Sequence, residues 1–185
     1  MTDAEALAAF GFELGVLKRL RRSGWWHAGV RDPESVAEHS LRVAQLAGLL
    51  AAGEGADPAR AAYLAIWHDS QETRTGDLPH IAKPYLDKPD PERITADQTA
   101  GLPAPAGDSV RSAVAEYEAA STPEARCARD ADKLEMLLQA VEYRAAGVEQ
   151  VDEWIDSALA GLTTPAARRI AEAAQRLPTL AWRLR

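Results

Sequence analysis

The sequence predicts an all-α fold, a compact single-domain helical bundle of about six to seven helices. Alanine and leucine dominate its 185 residues, and alternating runs of β-branched residues are absent. Both features favour helix along most of the chain. Capping side chains followed by proline mark several helix starts. The length and the 46% of hydrophobic residues suit one domain, 1–185, with a single core.

The helix starts can be read from capping patterns. Thr2 with Glu5 forms a capping box, in which side chains and backbone N–H groups satisfy each other. Four further residues precede a proline at a first helical position: Asp32, Asp57, Thr122 and Thr164. The predicted helices span 3–22, 33–52, 58–72, 108–120, 123–146, 148–160 and 165–176, and Gly147 is expected to end the longest in the left-handed conformation.

The segment 73–107 departs from this pattern. It is rich in Pro, Gly, Asp and Thr, which predicts a loop with one short helix near 80–86. A long irregular loop inside a helical domain is often functional.

Charge and cysteine content limit the classes of partner. The net charge of −7 argues against a general nucleic-acid or membrane-surface binder, because polyanions are not attracted over the whole surface. The single cysteine, Cys127, leaves no internal disulfide and is expected to be a helix residue rather than a nucleophile. No signal-peptide pattern or long apolar run is present. We therefore expect a cytoplasmic protein with no nucleic-acid or membrane partner.

Two histidines fall on apolar parts of predicted helices. His39 shares the apolar stripe of helix 33–52, where a lone histidine is usually a core residue bonded to backbone. His68 and Asp69 follow an apolar run near the end of helix 58–72. Two buried imidazoles and a buried carboxylate are costly unless they are paired, and a divalent ion satisfies all three.

A fourth ligand is expected from a helix far along the chain. Asp130 and Asp132 interrupt a strong helix-forming run, and aspartate is a poor residue in the middle of a helix. The alternative is a solvated face on which Asp132, Lys133 and Glu135 exchange surface ion pairs.

Three sequence patterns carry a family resemblance: VAEHSLRVA, WHDSQETRTGDLP and RDADKLEMLLQA. Together they resemble the HD-domain superfamily of metal-dependent phosphohydrolases, and they look closest to its branch of 5′-deoxynucleotidases and HD domain-containing protein 2. The resemblance covers nearly the whole chain and implies a helical bundle of the HD-domain type. It also implies hydrolysis of nucleoside 5′-monophosphates and a homodimer.

The resemblance assigns roles to individual residues. His39, His68, Asp69 and Asp132 match the metal ligands, with Asp132 preferred to Asp130 because the family pattern places the ligand directly before the Lys-Leu step. Two imidazoles and two carboxylates favour one divalent transition metal (Mn, Co, Fe, Ni or Zn) over an all-oxygen Mg site. Glu72 matches the catalytic carboxylate, four residues after His68, where it would orient or deprotonate the attacking water.

Substrate contacts are expected from two segments. Lys18, Arg19, Arg21 and Arg22 form a basic cluster at the end of the first predicted helix, where the helix dipole favours cations. Bacterial relatives carry the phosphate-binding arginine at the position of Gly24, so here the form LKRxxRxGW points to Arg22. Trp25 either walls the substrate pocket or packs in the core. The remaining candidates form the loop over the substrate: Thr75, Gly76, Asp77, Leu78 and Pro79, with His80 as a further candidate.

Two other functions share these features. The same metal site serves hydrolases of dNTPs, (p)ppGpp or cyclic nucleotides, although a single short domain argues against them. A non-catalytic metal-binding scaffold is the other alternative, and the presence of all four ligand positions together with Glu72 argues against it.

Overall fold

Helices make up nearly all regular structure in residues 1–87 and 89–184, the parts of the chain that the computed structural model describes. These parts contain ten α-helices and no β-sheet, which confirms the all-α prediction with more helices than expected. The helices are α1 (Asp3–Leu14), α2 (Gly24–His27), α3 (Val36–Glu54), α4 (Pro58–Trp67), α5 (Glu72–Thr75), α6 (Pro91–Thr99), α7 (Ala104–Ala119), α8 (Pro123–Ala145), α9 (Asp152–Gly161) and α10 (Pro165–Ala174). Short 3₁₀ turns span Gly15–Lys18, His80–Tyr85 and Ala181–Leu184.

The core lies where α3 packs against α4 and α8. Leucines from all three helices, such as Leu50, Leu64 and Leu134, are almost fully buried there. Many of the other contact positions are alanines, and small side chains let helix axes approach closely. The late helices pack on this core, since Trp154 and Leu159 contact it and Ile155 is buried. Trp182, after α10, is largely exposed.

Most helix starts agree with the predicted capping residues. Asp57, Thr122 and Thr164 each accept a hydrogen bond from a backbone N–H in the first turn. Gly147 follows α8 with φ of 97°, as expected for a left-handed cap. The predicted start of the second helix at residue 33 is wrong, because Ser35 and Glu38 form a capping box and α3 begins at Val36.

The first predicted helix, 3–22, is also wrong beyond residue 14. The chain passes through a 3₁₀ turn and then pairs in an extended conformation with the segment before α3. Arg22 N donates to Glu34 O at 3.0 Å, and Val36 N donates to Leu20 O at 2.9 Å. Arg21 and Arg22 therefore do not lie in a helical turn, and the helix dipole does not account for them.

The segment 73–107 contains more structure than predicted. The short helix expected near 80–86 is confirmed by the 3₁₀ turn His80–Tyr85, but α6 was not predicted. Asp90 caps α6 by accepting from Arg93 N at 3.1 Å, with Pro91 at the first position. The buried face of α6 consists of polar residues, Thr95, Gln98 and Thr99, so it lacks the apolar periodicity that identifies a helix. None of the helices described is long and apolar enough to cross a membrane.

Candidate metal and phosphate site

The four predicted metal ligands meet at one point between α3, α4 and α8. His39 Nε2 lies 3.2 Å from Asp132 Oδ1 and 3.7 Å from Asp69 Oδ2. His68 Nε2 lies 3.1 Å from Asp69 Oδ2 and 3.8 Å from Asp132 Oδ1. Each imidazole therefore faces both carboxylates, although the four residues come from three separated segments.

The end of α4 allows adjacent residues to face the same point. His68 is the C-cap of α4, and the chain then turns through residues 69–71 before α5 begins at Glu72. Neighbours inside a helix point about 100° apart, but this turn brings both His68 and Asp69 to the site. Glu72 is consequently not on the same helix as His68, contrary to the prediction that placed them one turn apart in 58–72.

The hydrogen bonds of the two histidines fix which ring nitrogen is free. His68 Nδ1 donates to the carbonyl of Ala65 at 2.7 Å, and His39 Nδ1 donates to the carboxylate of Glu135. Because a carbonyl and a carboxylate only accept, Nδ1 carries the proton in both rings. Both Nε2 atoms then point towards Asp69 and Asp132, and in the neutral rings each would offer its lone pair to a metal ion.

Unpaired buried atoms gather around this point. In the described part of the chain, six buried side-chain nitrogen or oxygen atoms lack a hydrogen-bond partner. Four of them belong to the candidate site: His39 Nε2, His68 Nε2, Asp69 Oδ2 and Glu72 Oε2. Buried polar atoms are normally paired, so such a concentration is unusual. A divalent ion held by two imidazoles and two carboxylates fits this donor set.

The pKa values of two carboxyls of the site, Glu72 and Asp132, are shifted in opposite directions. Burial, followed by the charges of Asp69 and Asp77, raises the pKa of Glu72 to about 10. Burial also acts to raise the pKa of Asp132, but the imidazoles of His39 and His68 beside it outweigh burial and leave the pKa below its usual range. Glu72 is thus the carboxyl that holds a proton most readily, whereas Asp132 stays ionised.

Arg22 is the cation of the site. Its Nη1 lies 3.1 Å from Asp77 Oδ1 and 3.7 Å from Asp69 Oδ2. Asp77 also accepts from the backbone N–H of Ser23 at 2.6 Å and from the Ser23 hydroxyl. Burial acts to lower the pKa of Arg22, but the charges of Asp69 and Asp77 raise it above its ordinary value, so the guanidinium remains charged. The structure therefore brings Arg22 and Asp77 together beside the predicted ligands.

Asp130, the alternative to Asp132, makes hydrogen bonds to another part of the chain. Its two carboxylate oxygens accept from the backbone N–H groups of Thr163 and Thr164 at 2.6 to 3.0 Å. These contacts connect α8 to the start of α10, away from the two histidines. Asp132 is the aspartate of this pair that lies among the candidate ligands.

Comparison with known proteins identifies the family. The HD domain family matches residues 14–174, which is most of the chain. The chain belongs to the HD-domain family. Its relatives include the 5′-deoxynucleotidase hdd1 of Schizosaccharomyces pombe, 32% identical over 152 residues that cover 77% of this chain and 76% of that protein. The 5′-deoxynucleotidase HDDC2 of Homo sapiens is 34% identical over 142 residues that cover 76% of this chain and 69% of that protein.

Solved structures share the fold. A conserved hypothetical protein from Pyrococcus furiosus has a TM-score of 0.75 and 34% identity, covering 92% of this chain and 99% of that one. A protein from Magnetospirillum magnetotacticum, described as a predicted metal-dependent phosphohydrolase, has a TM-score of 0.70 and 25% identity, covering 94% of each chain. The helical arrangement around the four candidate metal ligands, called the HD site below, is therefore that of the family.

The remaining predicted substrate residues occupy two environments in this HD domain. Thr75 was predicted in the loop but is the last residue of α5, and Gly76, Leu78 and Pro79 follow it in a half-buried loop. Trp25 is only 2% exposed, stacks on Trp154, and its Nε1 donates to Glu34 at 3.2 Å. Of the two roles expected for Trp25, the structure supports core packing. His80 is exposed.

Several residues of the HD site were not predicted. The buried Glu135 forms an ion pair with Arg42 behind His39, and the Tyr117 ring lies 5.3 Å from the His68 ring. Glu135 follows Asp132 by three positions, and Arg42 follows His39 by three. Because such residues share a helical face, this spacing was a usable signal.

Proposed function

We propose that this HD-domain protein is a metal-dependent phosphohydrolase that converts (deoxy)nucleoside 5′-monophosphates to nucleoside and inorganic phosphate. The observation that carries the proposal is the group formed by His39, His68 and Asp69, each with an unpaired buried atom and with ligand atoms within 4.8 Å of one another, beside the charged side chain of Arg22. The names of the relatives, which are 5′-deoxynucleotidases, support the choice of substrate class.

The ion in this proposal is one divalent transition metal, Mn, Co, Fe, Ni or Zn rather than Mg, held by His39, His68, Asp69 and Asp132. When bound, such an ion supplies Lewis-acid activation of water and neutralises negative charge on a phosphoryl group. The buried Nε2 and carboxylate oxygens provide the donors for it.

Glu72 and Arg22 supply the other chemistry. Glu72 Oε2 is buried and unpaired, so it is free to accept a proton from the attacking water. A divalent ion held by the neighbouring ligands would lower the pKa of Glu72 from its raised value, so that the carboxyl is ionised before the reaction. The proton that Glu72 accepts is then available to the 5′-oxygen, whose bond to phosphorus breaks. Arg22 donates to the phosphate oxygens, and Asp77 holds the guanidinium in place from the loop 75–79.

The test is a phosphate-release assay on a panel of nucleotides with Mn²⁺ or Co²⁺. We expect release from 5′-monophosphates and none after chelation of the metal. Release only from dNTPs, (p)ppGpp or cyclic nucleotides would favour the other substrates that the same site could serve. Binding of metal without hydrolysis of any nucleotide would favour a scaffold and refute the proposal.

We also expect a single domain over 1–185, a homodimer and a cytoplasmic location. The molar mass measured by light scattering at micromolar protein concentration would test whether the protein is a homodimer.

A further inference from the structure

The two candidate metal-binding histidines are held in different ways. His68 is fixed by a carbonyl of its own helix, that of Ala65, at 2.7 Å. His39 is fixed by a side chain from another helix, because its Nδ1 donates to Glu135 Oε2 on α8. The second contact depends on the identity of one residue, and it joins α3 to α8 at the site.

Glu135 is built into the core as a charged group. It is 0% exposed, and Arg42 of α3 donates to its other oxygen, Oε1, through Nε at 2.9 Å and Nη2 at 2.7 Å. A buried carboxylate without such partners would be strongly unfavourable. Arg42 is itself held by Gln139 at 2.7 Å and by Glu142 at 2.8 Å. A continuous chain of contacts therefore runs from the surface to the Nδ1 of His39.

Glu34 is the other carboxyl near this imidazole, and its contacts differ. Glu34, His39 and Glu135 each offer an atom within 4.8 Å of the others, but Glu34 Oε1 accepts from Trp25 Nε1 and makes no hydrogen bond to His39. The hydrogen-bonded partner of the imidazole is therefore Glu135, which Arg42 also contacts.

We infer that Glu135 is a positioning residue that fixes His39 as an Nε2 metal ligand, and that Arg42 holds Glu135 in position. A carboxylate behind a metal-binding histidine orients the ring and makes the ligand nitrogen more basic. The inference rests on the proposed function for its metal site, but its main consequence is for metal affinity and not for the choice of substrate.

The experiment compares Glu135→Gln with the wild type in Co²⁺ affinity, measured by competition with a chromophoric chelator, and in the visible absorption of bound Co²⁺. We expect affinity about 10- to 100-fold weaker and a changed spectrum. Glu135→Asp should recover part of the affinity. The matched control is Glu116→Gln, since Glu116 also pairs with an arginine between helices, Arg60, but lies outside the site. The control should bind Co²⁺ as the wild type does.

A second variant guards against misfolding. If Glu135→Gln does not fold, Arg42→Gln is used instead, because Arg42 is 30% exposed and its replacement leaves Glu135 in contact with His39. We expect a loss of affinity of about 3- to 10-fold.

A folded Glu135→Gln, or failing that a folded Arg42→Gln, with the affinity and spectrum of the wild type would overturn the inference. If the wild type binds Co²⁺ but hydrolyses no nucleotide, the proposed function fails while this comparison remains valid.

Discussion

At the scale of single residues, the site is defined by which hydrogen bonds are made and which are missing. His39 and His68 each use Nδ1 within the protein and leave Nε2 unpaired in a buried place. Asp69 and Glu72 add unpaired oxygens beside them. An ordinary core histidine, as considered for His39 from the sequence, would have both nitrogens satisfied or one exposed to water.

The two neighbouring aspartates of α8 should respond differently to the loss of charge. We expect Asp132→Asn to weaken metal binding at least about 100-fold, because the imidazoles lose a carboxylate that faces both of them. Asp130→Asn should keep metal affinity but lower the free energy of unfolding by about 1 to 3 kcal/mol, since one of the two oxygens that accept from the start of α10 is replaced by an NH₂ group that cannot accept. Metal titration and chemical denaturation measure the two effects, and an equal loss of affinity in both variants would contradict the assignment of Asp132.

Glu72→Gln should separate activity from stability. We expect phosphate release to fall about 10²- to 10⁴-fold, because the amide cannot accept a proton. In the metal-free protein the pKa of Glu72 is raised from 4.5 to about 10, so the unfolded chain binds fewer protons between these values and stability falls as pH rises.

The metal-free Glu72→Gln protein should therefore melt at least about 3 °C above the wild type near pH 8, with a smaller difference near pH 4.5. Thermal unfolding in the presence of chelator measures this difference. A melting temperature of the Glu72→Gln protein below that of the wild type near pH 8 would show that the buried Glu72 carboxyl does not destabilise the fold.

Arg22 and Arg21 form a matched pair for testing phosphate recognition. Arg22→Lys should lower kcat/KM for monophosphates about 10- to 100-fold, because an ammonium group cannot reproduce the planar fork of donors that contacts Asp77 and a phosphate. Arg21→Lys, in the same segment but paired with Asp32 near the surface, should change it less than about twofold. Steady-state kinetics measure kcat/KM for the two variants. Equal losses of kcat/KM would show that Arg22 does not bind the phosphate.

At the scale of elements, the site depends on where helices stop. α4 ends at Trp67, α5 is a single turn, and Gly76 then adopts φ of 73° and ψ of 164°, a conformation essentially restricted to glycine. The loop that follows carries Asp77 to Arg22 and Ser23. The composition of WHDSQETRTGDLP, with Gly76 near its end, was sufficient to predict a helix end there, but not the separate α5.

Gly76→Ala should test whether this loop holds the phosphate-binding side of the site. We expect a cost of about 1 to 3 kcal/mol in stability and a loss of kcat/KM of about tenfold or more, because Asp77 is displaced from Arg22. The control is Gly55→Ala, at the end of α3, where φ is 74° and ψ is 21°. It should lose about 1 kcal/mol of stability and retain full kcat/KM. A Gly76→Ala enzyme with normal kinetics would show that the loop is not part of the site.

The success of prediction from sequence varied from element to element for physical reasons. Helices with an apolar face and a capping residue, such as those starting after Asp57 and Thr122, were predicted correctly, because both signals are local. α6 was missed because its buried face is polar and its pairing with α7 is visible only in three dimensions. Residues 15–22 were predicted as helix because the extended pairing with residues 34–36 has no local pattern.

At the scale of the whole molecule, the core and the site are built on the same three helices. α3, α4 and α8 pack through leucine and alanine, and each also carries or ends at a candidate metal ligand. The identity of four ligands followed from the family resemblance, whereas Glu135 and Arg42 required the helices to be seen in contact. An ion that binds only the folded chain should therefore stabilise the whole bundle, by about 2.7 kcal/mol at a free concentration of 100 times the Kd.

The central claim is that one divalent ion at His39, His68, Asp69 and Asp132 makes this HD-domain protein a phosphomonoesterase. The most direct test is to titrate metal-free protein with Co²⁺ while following phosphate release from a deoxynucleoside 5′-monophosphate. We expect no release without metal and an activity that rises to a plateau at one ion per chain. Release that is independent of Co²⁺, or no release at full loading, would contradict the claim.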